Sequence, residues 1–134
     1  MRIRSSVVDC ILEHARHDQP KECCGLLIGT PRLIDRAFPA KNISLDPNRY
    51  SVDPADHFNA IRSARFSSLH VVGAYHSHPN NIIMPSLTDL SEASYPNFVY
   101  VIVVLGNCEK PSERFAGYRF LRKEFEVVQL KLVS

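Results

Sequence analysis

The chain has 134 residues, 45% of them hydrophobic, which suffices for one hydrophobic core and is short for two domains. Its 16 basic and 14 acidic residues give a formal net charge of +2. No run of like charges is present, and this excludes the charge pattern typical of proteins that bind the phosphate backbone of nucleic acids. We therefore expect a single domain over residues 1–134 and no nucleic-acid partner.

The N-terminal segment mixes charged residues such as Asp9 and Glu13 into its apolar positions, so it lacks the continuous apolar core of a signal peptide. No later stretch is apolar over the length that a membrane-spanning helix needs. We expect a cytoplasmic protein with no membrane partner. Reduced thiols are then favoured over a disulfide framework for the four cysteines, which include no Cys-x-x-Cys pair: Cys10, Cys23, Cys24 and Cys108.

The start of the sequence predicts a helix followed by a buried strand. Apolar residues recur at helical spacing over 6–17, with Ser5 or Ser6 as the N-cap. The run over 22–29 is short, apolar and closed by glycine, which favours a strand buried in a sheet. Glu22 stands at the entrance to this strand, where a carboxylate is unexpected unless it has a role.

A second strand, a loop and a second helix are expected next. The strand covers 33–42 and is predicted to break at Pro39. The helix has Asp53 as its cap, since a proline follows at the first helical position, and it runs to about residue 67. Its apolar positions include Phe58 and Ile61.

The second half of the sequence is dominated by strands. The run from Phe98 to Leu105 is apolar and rich in β-branched residues, which predicts a central strand covered on both faces. One short helix, capped by Ser86 or Thr88, interrupts the strands. The sum is an α/β (α+β) fold with a mixed β-sheet and two main helices. The other segments expected here are a strand over 70–75, the short helix over 88–94, and strands over 115–121 and 124–132.

Two histidines stand at the end of the strand that begins at His70. Side chains alternate across a strand, so His76 and His78 point to the same face while Ser77 points away from it. Two imidazoles on one face can share a metal ion. Asp89, in the first turn of the short helix that follows, can supply a third ligand.

Two histidines and one carboxylate are the ligands of a catalytic zinc site, whose fourth position is left to water. Such a site also needs a proton acceptor. Glu22 is the candidate for the base that takes a proton from the water and passes it to the leaving amine. Ser86 can donate a hydrogen bond to the developing oxyanion. The other histidines have no partner at ligand spacing and are expected in surface or core roles: His14, His17, His57 and His70.

These residues resemble the motif of the JAMM, or MPN-plus, metalloproteases. That motif is a glutamate upstream of His-Ser/Thr-His, followed by seven residues, a serine, two residues and an aspartate. Each position is matched, by Glu22, by the segment from His76 to His78, by Ser86 and by Asp89. The surrounding sequences Glu-Cys-Cys-Gly-Leu-Leu-Ile-Gly and Gly-Ala-Tyr-His-Ser-His-Pro look like the small, stand-alone prokaryotic branch of the family.

The resemblance implies a zinc peptidase or isopeptidase with a single-layer curved mixed β-sheet flanked by helices, of the cytidine-deaminase-like type. One zinc ion per chain would be bound by His76, His78 and Asp89, with Glu22 as acid/base and Ser86 at the oxyanion. Members of the prokaryotic branch are similar to enzymes that cleave after the C-terminal Gly-Gly of ubiquitin-like or sulfur-carrier proteins. The C-terminal tail of such a carrier is therefore the expected partner.

The walls of a groove for this tail are expected in the segments 40–51 and 80–84. An extended tail would add main-chain hydrogen bonds at an exposed strand edge near the site. Homodimer formation through the N-terminal helix or through the helix that starts at Asp53 stays open.

Other interpretations of the same residues stay open as well. Glu22 can be a strand-edge carboxylate paired with a basic neighbour, and Ser86 can be a helix cap, alone or in addition to a catalytic role. Cys23 and Cys24 are expected to point to opposite sides of a strand. Both can be small buried hydrophobic residues, or one of them can be a redox-sensitive thiol near the zinc. The alternative to a peptidase is a non-catalytic scaffold or protein-binding module of the same fold.

Overall fold

The computed structural model describes residues 1–106, 110–122 and 124–134. The elements in chain order are β1 Arg2–Arg4, α1 Ser5–Asp18, β2 Cys24–Thr30, β3 Leu33–Ala40, α2 Pro54–Phe66, β4 His70–Ser77, α3 Leu87–Glu92, β5 Val99–Val103, a 3-10 turn Pro111–Arg114, β6 Phe115–Leu121, β7 Glu124–Val128 and β8 Lys131–Val133. Within these described ranges, eight strands form one mixed sheet in the order β7-β6-β5-β4-β2-β3-β1-β8. This is the mixed-sheet α+β fold that the sequence predicts.

The sheet is strongly curved. Its two edge strands, β7 and β8, follow one another in the chain and are separated only by Gln129 and Leu130. Two residues can connect opposite edges only if the sheet curls until those edges lie close together. β8 is held at its edge by parallel pairing with β1, where Arg2 lies opposite Lys131. The single strand predicted over 124–132 is therefore wrong, because this segment forms two strands at the two edges.

Each face of the sheet has its own hydrophobic core. On one face, Ile11 of α1 packs with Leu27 of β2. On the other face, Ala60 of α2 packs with Leu26 of the same strand. β5 is buried along its whole length and contributes alternate residues to the two cores. The prediction of a central strand covered on both faces is confirmed.

Two predictions about helix and strand limits are wrong. The helix expected over 6–17 is present as α1, but its N-cap is Arg4, with no side-chain cap bond, because β1 leads directly into the helix. β3 runs unbroken through Pro39, which lies opposite Gly25. Proline is tolerated there because, beyond Ile34, β3 has a hydrogen-bonded neighbour on only one side.

α2 begins as predicted, with Pro54 in its first turn and the Asp53 side chain accepting a backbone N–H of that turn at 2.9 Å. Its packing differs from the prediction, since Phe58 is 61% exposed while Ala60 and Ala64 are buried. Small side chains therefore let α2 approach the sheet closely. In the described part of the chain, no helix is long and apolar enough to span a membrane.

Candidate metal centre

The two histidines of the predicted motif lie at the C-terminal end of β4. β4 pairs with β2 on one side and with β5 on the other, so this strand is interior to the sheet. The Nε2 atoms of His76 and His78 are 3.0 Å apart, because both side chains point to the same face. Both residues are buried, His76 completely. The sheet thus fixes two imidazoles side by side away from solvent.

α3 brings a third side chain to this point. Asp89 Oδ1 is 3.2 Å from His76 Nε2, and Asp89 Oδ2 is 3.0 Å from His78 Nε2. A capping box fixes the carboxylate, since Asp89 N–H donates to Ser86 Oγ at 3.0 Å and Ser86 N–H donates to Asp89 Oδ2 at 2.9 Å. Ser86 is therefore the helix cap, one of the two caps expected for this helix.

In the metal-free protein the environment favours the metal-binding forms of Asp89 and His76, whereas it favours protonation of His78. Burial raises the pKa of Asp89, but hydrogen bonds with His76 and His78 outweigh burial and hold the pKa well below its usual range. Burial lowers the pKa of His76, so its imidazole is neutral. For His78, burial lowers the pKa, but hydrogen bonds with Asp89 and with the Ile82 carbonyl outweigh it and raise the pKa. An anionic carboxylate and a neutral imidazole are the forms that bind metal ions.

The donor atoms fit a zinc ion. Tetrahedral ligands at usual zinc distances are about 3.3 Å apart, close to the 3.0–3.2 Å separations among His76, His78 and Asp89. His78 Nδ1 is 2.7 Å from the Ile82 carbonyl oxygen, which keeps the proton on Nδ1 and leaves Nε2 for a metal. His76 Nδ1 is buried and has no hydrogen-bond partner within the described residues.

Glu22 reaches the cluster through strand pairing. Cys24, the first residue of β2, lies opposite His76, so the segment just before β2 lies beside the end of β4. A carboxylate oxygen of Glu22 and ring nitrogens of His76 and His78 all lie within 4.8 Å of one another, and this group could hold a metal ion. Burial raises the pKa of Glu22 to about 7, with the Asp89 charge adding to the shift and His78 opposing it.

Tyr50 is a site residue that no sequence pattern marked. Its ring stacks on the imidazole of His76, with centroids 4.3 Å apart and planes inclined by 21°. Burial raises the pKa of the Tyr50 phenol far above its usual value, so the ring is neutral. The only available signal was its position in the segment expected to form a groove wall.

Two further polar side chains, which the sequence did not mark as site residues, form hydrogen bonds with the peptide bond between Glu22 and Cys23. Asn42 Nδ2 donates to the Glu22 carbonyl oxygen at 3.0 Å. The Cys23 N–H donates to Ser77 Oγ at 2.8 Å. Alternation along β4 correctly predicts that Ser77 points away from the histidines, but it does not indicate what the hydroxyl contacts.

A cavity of 560 Å³ adjoins the cluster on the α2 face of the sheet. Its wall includes Ala74, two residues before His76 and on the same face of β4. At its rim, Arg49 Nη2 lies 3.0 Å from Glu92 Oε1, an ion pair that joins the loop after β3 to α3. The aromatic residues of the lining are Tyr50, Tyr95, Phe98 and Tyr100.

Residues 4–119 match the family model described as prokaryotic homologs of the JAB domain. The chain belongs to this family. A desampylase from Haloferax volcanii is 34% identical over 124 residues, which cover 87% of this chain and 85% of the relative. A CysO-cysteine peptidase from Mycobacterium tuberculosis is 35% identical over 104 residues, which cover 75% of this chain and 70% of the relative.

Solved structures agree with membership of the prokaryotic JAB family. A JAB1/MPN domain protein from Archaeoglobus fulgidus superposes with a TM-score of 0.62 at 25% sequence identity, covering 100% of this chain and 97% of that protein. The family resemblance and the fold class inferred from the sequence are both confirmed. The segment that matches the JAB model contains every predicted site residue, from Glu22 to Asp89.

The remaining histidines of this JAB-family chain have structural or surface roles, as predicted. His14 Nδ1 is 2.7 Å from the Tyr75 hydroxyl, and His14 Nε2 is 3.3 Å from an Asp18 carboxylate oxygen. The His57 ring contacts the ring of Tyr95 edge-on. The other two are exposed, namely His17 and His70.

The adjacent cysteines Cys23 and Cys24 are buried free thiols, one just before β2 and the other at its first residue. Cys23 packs in the core beneath α1, while Cys24 lies beside His76 in the register of β2 with β4. Burial raises the pKa of Cys23 to about 11 and that of Cys24 to about 12. Cys10 is a half-buried free thiol, and Cys108 lies outside the described residues.

Proposed function

We propose that this protein is a zinc-dependent peptidase or isopeptidase that hydrolyses the bond after the C-terminal Gly-Gly of a ubiquitin-like or sulfur-carrier protein. One observation carries the proposal. The Nε2 atoms of His76 and His78 are 3.0 Å apart, each lies within 3.2 Å of one Asp89 carboxylate oxygen, and a Glu22 carboxylate oxygen lies within 4.8 Å of ring nitrogens of both histidines. The relatives named as a desampylase and as a CysO-cysteine peptidase support this reaction and this class of substrate.

Metal binding is assigned to His76, His78 and Asp89. Their donor types and separations are those of a three-ligand catalytic zinc site with one open position. A zinc ion held by these side chains would polarise the scissile carbonyl and acidify a water molecule. Asp89 is oriented by its capping box and His78 by the Ile82 carbonyl, so both ligands are held in place before any ion binds.

Glu22 is assigned the acid/base role. In the metal-free protein burial raises the pKa of Glu22 to about 7, so the protein environment favours a carboxyl group that can accept a proton. The carboxylate accepts a proton from the attacking water, and the carboxylic acid then returns it to the leaving amine. Glu22 is 6% exposed, so bulk water competes little for this proton.

Ser86 is assigned the role of oxyanion donor. Its Oγ accepts the N–H of Asp89, and this bond uses one lone pair while the hydroxyl proton remains available. A hydroxyl held at the N-terminus of α3 can donate to the negative charge that develops on the carbonyl oxygen. Removing one such donor costs about 2.7–4 kcal/mol in enzymes where it has been measured.

We propose that the tail of the carrier lies between the segments 40–51 and 80–84. β4 is hydrogen-bonded to β2 along one edge and to β5 along the other. The tail therefore does not pair with β4, the strand that leads to the histidines. Apolar side chains in the two segments are exposed, among them Leu45, Ile82 and Met84. These side chains and the adjoining 560 Å³ cavity give an extended peptide apolar surface beside the metal ligands.

The proposal also includes a single domain over residues 1–134 and a cytoplasmic location. The single domain is supported by the one sheet, which pairs β1 with β8 and thereby joins the two ends of the chain. The location is supported by the free thiols of Cys23 and Cys24, which are stable in a reducing compartment.

The test combines metal analysis with a cleavage assay. Wild-type protein loaded with zinc should hold one equivalent and cleave a carrier fusion of the form Gly-Gly-X after the second glycine. Glu22→Gln should retain zinc and lose at least about 100-fold in kcat, the contribution of a general base. Glu13→Gln, an exposed glutamate on α1, is the matched control and should behave as wild type.

The outcome that contradicts the proposal is specific. A wild-type protein that binds carrier fusions without cleaving them, or that cleaves equally well after Glu22→Gln, would favour the non-catalytic scaffold of the same fold. The same conclusion would follow if no zinc is bound stoichiometrically.

A further inference from the structure

The peptide bond between Glu22 and Cys23 is held on both of its polar atoms by side chains from distant parts of the chain. Its carbonyl oxygen accepts a hydrogen bond from Asn42 Nδ2 at 3.0 Å. Its N–H donates to Ser77 Oγ at 2.8 Å. We call these two hydrogen bonds the peptide clamp. Hydrogen bonds at both polar atoms restrain rotation of this peptide plane, and they thereby restrain the direction of the bond from the Glu22 backbone to its side chain.

Glu22 needs this support because it lies outside the sheet. β2 begins at Cys24, so no ladder hydrogen bond of β2 orients the Glu22 backbone. Ser77 also donates its N–H to the Cys23 carbonyl oxygen at 3.1 Å, which anchors the next peptide to the end of β4. The segment that carries the proposed base is thus fastened to the strand that carries His76 and His78.

The Asn42 amide satisfies all of its hydrogen-bonding capacity in this one place. Besides the Glu22 carbonyl, Nδ2 donates to the Arg49 carbonyl oxygen at 3.1 Å. Oδ1 accepts the N–H groups of Ser44 and Ser51, each at 3.0 Å. Arg49 and Ser51 flank Tyr50, the residue whose ring lies on His76. One side chain therefore ties the base to the loop that covers a metal ligand.

We propose that Asn42 and Ser77 are positioning residues that hold the Glu22 carboxylate at the metal centre through the peptide clamp. Neither residue touches the reacting atoms in this arrangement, and both act through the backbone of Glu22. This inference rests on the proposed function, in which Glu22 is the acid/base.

The first arm of the test measures catalysis. Asn42→Asp keeps an oxygen acceptor for the N–H groups of Ser44 and Ser51. It replaces the Nδ2 donor by a carboxylate oxygen, so the hydrogen bonds to the Glu22 and Arg49 carbonyls are both lost. Ser77→Ala removes the other half of the clamp. Each variant should lower kcat for a Gly-Gly-X carrier fusion by about 10- to 100-fold, with KM and zinc content unchanged.

The double variant distinguishes a shared role from two independent defects. Since both side chains act on one peptide bond, Asn42→Asp with Ser77→Ala should be no slower than the slower single variant, within about threefold. Asn59→Asp adds the same charge at an exposed position of α2 and should match wild type.

The second arm needs neither zinc nor cleavage. In metal-free protein, amide hydrogen exchange of Cys23 should accelerate at least about tenfold in both clamp variants. In Ser77→Ala the Cys23 N–H loses its acceptor, and in Asn42→Asp the same peptide bond is no longer held at its carbonyl oxygen. The amides of Ser44 and Ser51 should stay protected in Asn42→Asp and in Ser77→Ala. Protection of these two amides shows that the loop keeps its structure.

The two arms separate the possible failures. If wild type binds zinc but cleaves no fusion, the proposed function fails while the exchange arm still decides whether the clamp exists. The positioning role is overturned if kcat of either variant stays within about threefold of wild type, if the two losses multiply in the double variant, or if the loss follows zinc content. Unchanged exchange at Cys23 overturns the clamp itself.

Discussion

The ring of Tyr50 lies against the imidazole of His76, with centroids 4.3 Å apart and planes inclined by only 21°. Tyr50 comes from the loop between β3 and α2, while His76 lies near the end of the interior strand β4. The contact therefore joins a loop to the most buried residue of the metal centre. It shields one face of a proposed ligand from water and limits its rotation.

Replacing this aromatic ring should weaken metal binding. Tyr50→Leu loses the stacked ring and should raise the zinc Kd by about 10-fold, in the range found for residues that orient metal ligands. Tyr50→Phe keeps the ring and should bind zinc as wild type does, since the stacking does not involve the hydroxyl. Competition with a chromogenic chelator measures both affinities. Equal affinity of the Leu and Phe variants would contradict a role for stacking.

Loss of a proposed ligand should abolish stoichiometric zinc. His76→Ala removes a donor whose Nε2 lies 3.0 Å from His78 Nε2 and 3.2 Å from Asp89, leaving two ligands where catalytic sites have three. After dialysis, elemental analysis should find well under one zinc per chain. His70→Ala, at the exposed start of the same strand, is the matched control and should retain zinc. Full retention of zinc by His76→Ala would remove this residue from the ligand set.

Glu22 should destabilise the metal-free fold at alkaline pH. Burial raises its folded-state pKa from 4.5 to about 7, so the protonated form is favoured by folding. The stabilising contribution is complete below pH 4.5 and is lost as the pH rises through about 7. Glu22→Gln, which cannot ionise, should therefore have a higher Tm than wild type at pH 8 in the presence of a chelator, with the difference shrinking towards pH 4. The opposite pH trend would show that the folded state favours the carboxylate.

The adjacent thiols of Cys23 and Cys24 should be unreactive towards alkylating reagents in the folded protein. Burial raises the pKa of Cys23 to about 11 and of Cys24 to about 12, so neither forms a reactive thiolate near neutral pH. Iodoacetamide at pH 7.5, followed by peptide mass spectrometry, should leave both unmodified until denaturant is added. Modification of Cys24 in native protein would instead support a redox-sensitive thiol beside His76.

Local spacing made much of the centre predictable. His76 and His78 share a face because side chains alternate along any strand, and Ser86 caps α3 because a serine three residues before an aspartate forms a capping box. The central position of β5 followed from a continuous apolar run. Each of these features depends on residues that are neighbours in the chain.

The remaining features of the metal centre and of the sheet depend on contacts between segments that are distant in the sequence. The sequence contains Glu22 and His76, but only the register of β2 on β4 places the carboxylate beside the imidazoles. Likewise, the contacts of Tyr50 and Asn42 depend on how the loop after β3 folds back, and curling of the sheet divides the last predicted strand in two. Periodicity encodes which face of an element is buried. It does not encode which element lies next to it, because that choice depends on packing free energy summed over the whole domain.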